Sequence, residues 1–324
     1  MKNNSNTKLK VFLKGMTMGI ADVIPGVSGG TIALITGIYE ELINSIDNLN
    51  LKALSTLKKE GFNSFWNKIN GKFLLPLLLG IGTSIVLFSG LIHHLLNEYP
   101  IPVWSFFFGL ITSSILLLLK QYKPNSIKSI LFLLIGLIIA FSITQITPKG
   151  GEISLAYLFF CSMIAIIAMI LPGISGSFIY ILLGAYETVI YTSKNSILAL
   201  LNFDWENFLL IYSRLAAIGF GIIVGLKAFS KILKWLFNHK KQETLMVLIG
   251  FMMGALPKIW PWQKVVQWET ISETKKIALK TEYTTPWNFD GESHTIIAFT
   301  LMSLGFLFLY FLERNSSKEN NATQ

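Results

Sequence analysis

Residues 22–43 read DVIPGVSGGTIALITGIYEELI, and this stretch is the main clue to the architecture because it breaks a helix inside an apolar region. Proline ends a helix and glycine permits backbone conformations that other residues avoid, so the PGVSG phrase at 25–29 separates two hydrophobic segments. Residues 169–190 read MILPGISGSFIYILLGAYETVI and repeat the phrase at 172–176. Inside a membrane, such a break is tolerated only where protein or a wet cavity surrounds it.

The two phrases belong to a longer internal repeat with an offset of 147 residues, which aligns nine identical residues in 19 positions. The identical pairs are Pro25/Pro172, Gly26/Gly173, Ser28/Ser175, Gly29/Gly176, Ile32/Ile179, Gly37/Gly184, Tyr39/Tyr186, Glu40/Glu187 and Ile43/Ile190. A polar loop and three long hydrophobic segments follow each copy. We therefore predict a single membrane domain made of two similar halves, 1–147 and 148–312, and a disordered tail at 313–324.

The composition predicts an integral membrane protein, because 52% of the 324 residues are hydrophobic and only 14% are charged. The formal net charge of +9 comes from lysines gathered in a few loops, which indicates membrane orientation rather than nucleic-acid binding. Cys161 is the single cysteine, so it can form neither an internal disulfide nor a cysteine-based metal site. The four histidines lie near segment ends, and we predict neither a metal nor a cofactor.

Hydrophobic stretches of about 20 residues predict spanning helices. Six stretches qualify: 73–96, 101–119, 127–147, 208–229, 244–260 and 294–312. Two more, 11–24 and 153–171, end at the phrases, and shorter apolar pieces follow them at 30–46 and 177–192.

Crossing parity and lysine placement together set the predicted orientation. If each broken pair crosses the membrane an even number of times, three further spans make the total odd, and the second half is inverted. With the N-terminus inside, this arrangement keeps the lysine-rich loops 47–72, 120–128 and 227–243 in the cytoplasm, as expected for basic loops. The outer loops are then 97–100, 148–152, 193–207 and 261–293, and both termini are cytoplasmic. A single crossing per broken pair would export the basic loop 47–72.

The predicted fold is therefore an all-α integral membrane protein with an inverted-topology repeat. Each half contains a broken helix pair, either re-entrant or fully spanning, and three spanning helices. This architecture is typical of transporters, whose substrate sites lie near the bilayer midplane at discontinuous helices.

The phrases are candidate anion sites, because a serine can cap the next helix and its free N–H groups suit a phosphate. The alternative is a pair of Pro-Gly kinks at close helix crossings. The candidate phosphate-binding residues are Pro25, Gly26, Val27, Ser28, Gly29, Gly30, Thr31, Pro172, Gly173, Ile174, Ser175, Gly176 and Ser177.

Ionisable groups inside hydrophobic segments are further candidates. Arg214 lies six residues inside its segment and could bind phosphate or extend its charged end to the interface. Glu40 and Glu187 occupy equivalent places and could carry protons, pair with Arg214 or mark helix ends. Asp22 has Met169 as its counterpart, which suits a coupling, capping or hinge role.

GIADVIPGVSGGTIALITGIYEELI (19–43) and LPGISGSFIYILLGAYETVI (171–190) resemble the paired motifs of the bacterial polyprenyl-phosphate (undecaprenyl-phosphate) transporter family. PIPVWSFFFGLITSSI (100–115), FSKILKWLF (229–237) and LIGFMMGALPKIWPW (248–262) resemble its later blocks. The resemblance covers about 11–312. One departure within the duplication is that Ser177 and Phe178 stand where the first half has Gly30 and Thr31.

The resemblance implies a flippase in the bacterial plasma membrane, not an enzyme. It would return the polyprenyl-phosphate carrier of cell-wall synthesis, including that of peptidoglycan, from the outer to the cytoplasmic leaflet. Its partners would be this lipid, the membrane and, if transport is coupled, protons or another ion. The alternatives are a transporter of another organic or inorganic anion and a membrane prenyl-diphosphate phosphatase.

The predicted orientation can be tested by single cysteines at Lys58 and Asn202 in a Cys161→Ser background. We expect an impermeant thiol reagent to label position 202 from outside intact cells and to leave position 58 unlabelled. Equal labelling, or equal protection, of the two positions would contradict the inverted layout.

Overall fold

The computed structural model describes residues 4–23, 28–145, 153–201, 205–272 and 275–321. They form fourteen α-helices, two 3₁₀ turns and one two-stranded antiparallel sheet. In chain order the elements are α1 (Asn4–Val23), α2 (Gly29–Ile35), α3 (Tyr39–Asn48), α4 (Leu51–Glu60), α5 (Phe62–Lys68), α6 (Gly71–Glu98), α7 (Pro100–Gln121), α8 (Ile127–Thr144), α9 (Leu155–Ile170), α10 (Gly176–Leu182), α11 (Tyr186–Leu201), α12 (Trp205–His239), α13 (Lys241–Ala255), a 3₁₀ turn (Leu256–Ile259), β1 (Gln263–Ser272), β2 (Lys275–Tyr283), a 3₁₀ turn (Pro286–Asn288) and α14 (Thr295–Asn321).

The predicted spans fall on helices, in agreement with a mostly helical membrane protein. By length and composition, four helices in the described residues can cross a membrane: Gly71–Phe88, Pro100–Gln121, Ile127–Thr144 and Phe208–His239. Leu155–Ile170 and Thr295–Tyr310 are apolar but shorter. α14 runs through Asn321 and so includes most of the segment whose composition predicts a disordered tail.

The apolar piece after each phrase is two helices rather than one. α2 and α10 each last seven residues and end at Gly37 and Gly184, whose φ angles are +72° and +67°. The N–H of Ile38 donates to the carbonyl of Ala33 (3.0 Å), and Ala185 donates to Tyr180 in the same way (2.8 Å). This is a glycine-terminated helix end of the Schellman type, and it recurs at the repeat offset of 147 residues.

The predicted outer loop 261–293 contains the β1–β2 hairpin, an addition to the all-helical prediction. Two tryptophans hold its base. The indole N–H of Trp260 donates to the Thr284 carbonyl and that of Trp262 to the Ser293 carbonyl, both at 2.8 Å. Trp262 is fully buried, so burial and hydrogen bonding fix the start of the hairpin.

The helices form two compact units, and each unit takes helices from both halves of the repeat. The first unit contains residues 1–86 and 146–241, and the second contains 87–145 and 242–324. The first unit therefore holds both broken helix pairs.

In the first unit, α1 packs parallel to α6 and α9 packs parallel to α12. A Cβ atom on Gly15 would overlap the carbonyl of Leu77, and one on Gly19 would overlap that of Ile81, four residues further along. Likewise, a Cβ atom on Gly221 of α12 would overlap the Phe159 carbonyl of α9, and one on Gly225 would overlap the Met163 carbonyl, again four residues further along both helices. All four contacts join residues 62 positions apart, so the two halves share one packing register.

Between α9 and α12 the chain returns toward the start of α9. The Tyr157 hydroxyl, near the start of α9, donates to the carbonyl of Leu183 just after α10 (2.9 Å). Ala185 packs in one buried cluster with Leu158 and Ile218. α10 therefore folds back along α9, which lets α12 run beside α9 in the same direction.

In the second unit, α7 is parallel to α14 and α8 is parallel to α13. Gly109 meets the backbone of Met302, while Ile101 and Ala298, earlier on the same two helices, share a buried cluster. The pattern recurs in α8 and α13 at the residue pairs Gly136/Val247, Gly250/Leu133 and Gly254/Leu137. Small residues permit this close backbone approach, as is common between membrane helices.

Two glycines of α6 give a matched test of this packing. Gly80→Leu places a side chain against the Phe12 carbonyl, whereas Gly82→Leu points into open space. Leucine favours a helix over glycine at both positions. We expect overpacking in Gly80→Leu to reduce the free energy of unfolding by about 1–3 kcal/mol and to lower the apparent unfolding temperature in detergent. Gly82→Leu should not lower it, and equal losses in both variants would argue against the α1–α6 crossing.

Candidate functional site

The two repeated phrases lie against each other in the first unit. Residues 24–27, which include the candidates Pro25, Gly26 and Val27, are outside the described residues. From Ser28 onward the contact is direct, because the Ser28 hydroxyl donates to the carbonyls of Met169 (2.9 Å) and Leu171 (3.2 Å). The N–H of Gly173 donates to the Thr31 hydroxyl at 2.8 Å. Residues 141 to 143 positions apart are thus joined at one buried junction.

The first phrase caps its helix twice. Ser28 occupies the N-cap of α2 in an extended conformation, and its hydroxyl accepts from the N–H of Gly30 (3.1 Å). Asp22, at the end of α1, accepts from the N–H of Gly29 through Oδ1 at 2.7 Å. A carboxylate is favourable at the N-terminal end of a helix, where backbone N–H groups point outward. Asp22 therefore has the capping contact that the sequence left as one of three alternatives.

The second phrase is capped differently. Met169 stands where the first half has Asp22, and no side chain caps α10 at Ser175. The hydroxyls of Ser175 and Ser177 lie 2.7 Å apart and bond each other. Ser175 and Pro172 are buried and Ser177 is partly buried. The two phrases are therefore equivalent in sequence and unequal in hydrogen bonding.

Glycines at the junction make room for neighbouring groups. A Cβ atom on Gly29 would lie 2.5 Å from Oδ2 of Asp22, and one on Gly30 would overlap the Ile170 carbonyl. Gly29 therefore makes room for the Asp22 side chain, and Gly30 makes room for the backbone at the end of α9.

The second phrase uses its glycines in two ways. A Cβ atom on Gly176 would lie 2.9 Å from the Ala165 carbonyl, so α10 packs closely on α9. Gly173 has φ +88°, a conformation that favours glycine, and its neighbour Ile174 is buried. The turn between α9 and α10 therefore depends on glycine for conformation as well as for space.

Arg214 is on the protein-facing side of α12 but not beside the phrases. It lies on the helix stripe that also carries the buried residues Ile211 and Ile218 and the close contact of Gly221 with Phe159. The α9–α12 register places Arg214 level with the N-terminal end of α9. Leu171, at the other end, is about 25 Å farther along the axis at 1.5 Å per residue. The register therefore separates Arg214 from the described residues of the phrases.

Glu40 and Glu187 have different outcomes. The Glu40 carboxylate lies 2.7 Å from the ammonium of Lys241, and both side chains are about half exposed. Glu40 therefore marks a helix end at the surface, as one alternative predicted, and does not pair with Arg214. The side chain of Glu187 lies outside the described residues.

Two polar contacts that the sequence analysis missed satisfy equivalent carbonyls. Lys14 donates through Nζ to the carbonyl of Thr36 at the end of α2 (2.7 Å). Tyr157 donates to Leu183, the equivalent residue at the end of α10. The repeat offset locates both carbonyls, but Lys14 and Tyr157 do not correspond to each other, so the alignment could not identify the donors.

The junction presents hydroxyls and backbone N–H groups beside a single carboxylate, that of Asp22. Among the described residues, histidine, cysteine, aspartate and glutamate side chains form no group of three or more that could hold a metal ion.

A family model described as VCA0040-like, undecaprenyl phosphate translocase-like, matches residues 18–277. A polyprenyl-phosphate transporter of Vibrio cholerae is 39% identical over 322 residues, which cover 98% of this chain and 100% of that protein. A polyprenyl-phosphate transporter of Staphylococcus aureus is 35% identical over 271 residues, 79% of this chain and 88% of that protein. No solved structure gives a significant match. The chain belongs to the undecaprenyl phosphate translocase-like family, as its repeated motifs predicted.

The contact between phrases can be tested at Thr31. Thr31→Val keeps the shape but removes the oxygen that accepts from Gly173, which leaves an N–H in the junction without this partner. We expect the free energy of unfolding to fall by about 1–3 kcal/mol and the apparent unfolding temperature to be lower. Thr31→Ser keeps the oxygen and should stay near the parent value. If Thr31→Val were as stable as Thr31→Ser, this bond would not hold the phrases together.

Proposed function

We propose that this member of the undecaprenyl phosphate translocase-like family moves polyprenyl phosphate from the outer to the cytoplasmic leaflet of the bacterial plasma membrane. The observation that carries the proposal is the junction of the two phrases, where the N-terminal end of α2 meets the end of α9 and Ser28 and Thr31 bond the backbone of residues 169–173. The relatives named polyprenyl-phosphate transporters, which align with nearly the whole chain, support the lipid phosphate as substrate.

The phosphate is held mainly by the second phrase. Its groups are the hydroxyls of Ser175 and Ser177 and the backbone N–H groups that begin α10, where no side chain acts as a cap. The first phrase contributes less, because Asp22 already occupies the N–H of Gly29 and Ser28 bonds across the junction. Unequal half-sites suit a carrier that must release its substrate as well as bind it.

Asp22 is the coupling candidate that the contacts favour. Its carboxylate sits beside the place where a second negative charge arrives, so phosphate binding and the charge of Asp22 oppose each other. Uptake of a proton by Asp22 would relieve this repulsion. Glu187 remains a candidate by its position in the repeat.

The helix pairs of the second unit support an inverted repeat. By order in the halves, α7 corresponds to α13 and α8 to α14. Consecutive spans run in opposite directions, so a repeat with both halves in one orientation would make α7 antiparallel to α14. The parallel pairs α7–α14 and α8–α13 favour the opposite orientation. The return of α10 along α9 likewise favours re-entrant rather than fully spanning broken pairs.

Arg214 acts as an outer capture point for the phosphate. It lies level with the start of α9, and the predicted topology puts that end at the outer face. α11 and α12 are antiparallel here, since Tyr212 donates to the Ser196 carbonyl (3.1 Å). Thr192 of α11 lies at about the same height along the helix pair as Arg214. Its hydroxyl is buried without a hydrogen-bond partner among the described residues. The lipid phosphate would meet Arg214 first and then pass about 25 Å to the junction.

The pairing of Glu40 with Lys241 weighs against a phosphatase. Such an enzyme would need carboxylate, serine and arginine groups converging on one phosphate. Glu40 is held at the surface by Lys241, and the α9–α12 register puts Arg214 at the other end of α9 from Ser175; both weigh against their convergence on one phosphate. Binding and transfer, without cleavage of the phosphate, are the chemistry that this arrangement supports.

The proposed function is tested by reconstituting the purified protein in liposomes with labelled polyprenyl phosphate in one leaflet. We expect protein-dependent movement to the other leaflet with the phosphate intact. Movement of a soluble anion without any movement of the lipid would favour the general anion transporter, and release of inorganic phosphate from prenyl diphosphate would favour the enzyme.

Arg214 provides a graded test in the same liposomes. A guanidinium grips phosphate with two parallel hydrogen bonds, whereas lysine keeps the charge and loses the paired geometry. We expect a partial loss of transport in Arg214→Lys and a severe loss, about tenfold or more, in Arg214→Ala, with normal insertion of both. Transport by Arg214→Ala at the parent rate would remove Arg214 from the pathway.

A further inference from the structure

Two lysines of α12 bind the C-terminal end of α3. Nζ of Lys227 donates to the backbone carbonyls of Ile46 (2.6 Å) and Asp47 (3.0 Å). Nζ of Lys234 lies 2.8 Å from Oδ2 of Asp47. Ammonium groups are favourable at a helix C-terminus, where the last carbonyls lack partners and the dipole is negative. We name these four residues, Ile46, Asp47, Lys227 and Lys234, the α3–α12 clamp.

The clamp is continuous with an apolar contact at the other end of α3. Tyr39 packs edge-on against Phe237 of α12 with ring centroids 5.8 Å apart. The Tyr39 ring is buried, and its hydroxyl has no hydrogen-bond partner among the described residues. A buried hydroxyl without a partner is unfavourable, so an arrangement that wets Tyr39 recovers part of the energy lost when α3 leaves α12.

The repeat offers no counterpart of the clamp in the other half. The offset of 147 residues carries Lys227 to Gly80, Lys234 to Leu87 and Asp47 to Lys194. The shared packing register of α6 and α12 justifies this offset. Charge therefore holds the helix after the first phrase, and the corresponding positions of α6, Gly80 and Leu87, carry no charge.

α3 joins α2 at Gly37, which ends α2. That glycine is exposed, has φ +72°, and has nothing within 4 Å of where its Cβ would be. A short joint in open space is the kind of position at which hinges occur.

We propose that the α3–α12 clamp is the cytoplasmic gate of the transporter, closed in this arrangement and opened when the lipid phosphate is released into the inner leaflet. The inference rests on the proposed function and on the predicted cytoplasmic position of 227–243. Opening breaks the contacts of Asp47 with Lys227 and Lys234 and swings α3 about Gly37.

The gate is tested by cross-linking α3 to α12 after the protein has folded. Cysteines replace Asp47 and Lys234 in a Cys161→Ser background and are joined by a short, reducible bifunctional thiol reagent. The matched control joins Thr56→Cys to Lys68→Cys, because Nζ of Lys68 lies 2.6 Å from the Thr56 hydroxyl within the α4–α5 pair. Both proteins are assayed for prenyl-phosphate binding in detergent and for transport in liposomes, before and after reduction.

We expect the locked clamp to bind prenyl phosphate within about twofold of the reduced protein while its transport falls about tenfold or more and recovers on reduction. The control should transport equally in both states. Unchanged transport with the clamp locked, or equal inhibition of the control, would overturn the gate. If the parent protein moves no prenyl phosphate, the proposed function fails and the gate fails with it, whereas a transporting parent with an uninhibited lock refutes the gate alone.

Discussion

A break in a membrane helix exposes backbone N–H and carbonyl groups where no lipid can bond them, and each unsatisfied group costs several kcal/mol. The first unit meets this constraint by pairing its two breaks. Ser28 and Thr31 bond the backbone of the other phrase, and Asp22 takes an N–H that would otherwise point into the junction. Neither phrase would be satisfied in this way alone. The same demand explains why the interruption occurs twice and why both copies lie in one compact unit.

The helices around the junction are held by a single kind of contact used repeatedly. In each parallel pair a small residue admits a carbonyl of its neighbour, which brings two backbones close over a short stretch. The helices α2, α3, α10 and α11 lie between these pairs and are held by polar contacts together with apolar packing, as Lys14, Tyr157 and Tyr39 show.

Much of this organisation follows from residue order alone. The phrases, their offset and the spans are readable because proline, glycine and long apolar runs have strong local effects. The short helices were not foreseen as separate elements, although Gly37 and Gly184 mark their ends, because an apolar run does not reveal a helix end without its hydrogen bonds. The partners of Asp22 and Glu40 and the position of Arg214 along α9 depend on how the elements pack, which sequence order alone does not give. The equivalent carbonyls of Thr36 and Leu183 accept hydrogen bonds from unrelated side chains. The repeat therefore locates the two carbonyls that require a donor but does not identify the donors.

The pairing of helices in the second unit also has a consequence for synthesis. α7 packs through Gly109 on Met302, and α8 packs through Gly136 on Val247, so each waits for a partner encoded more than a hundred residues later. At ribosomal rates of about 5–20 residues per second, α7 spends roughly 10–40 s in the membrane before α14 is made. α1 and α9, whose partners follow 62 residues behind, wait only a fraction of that time. The junction of the phrases can therefore assemble while the other unit is still incomplete, and α7 and α8 are the helices most exposed to unintended partners during insertion.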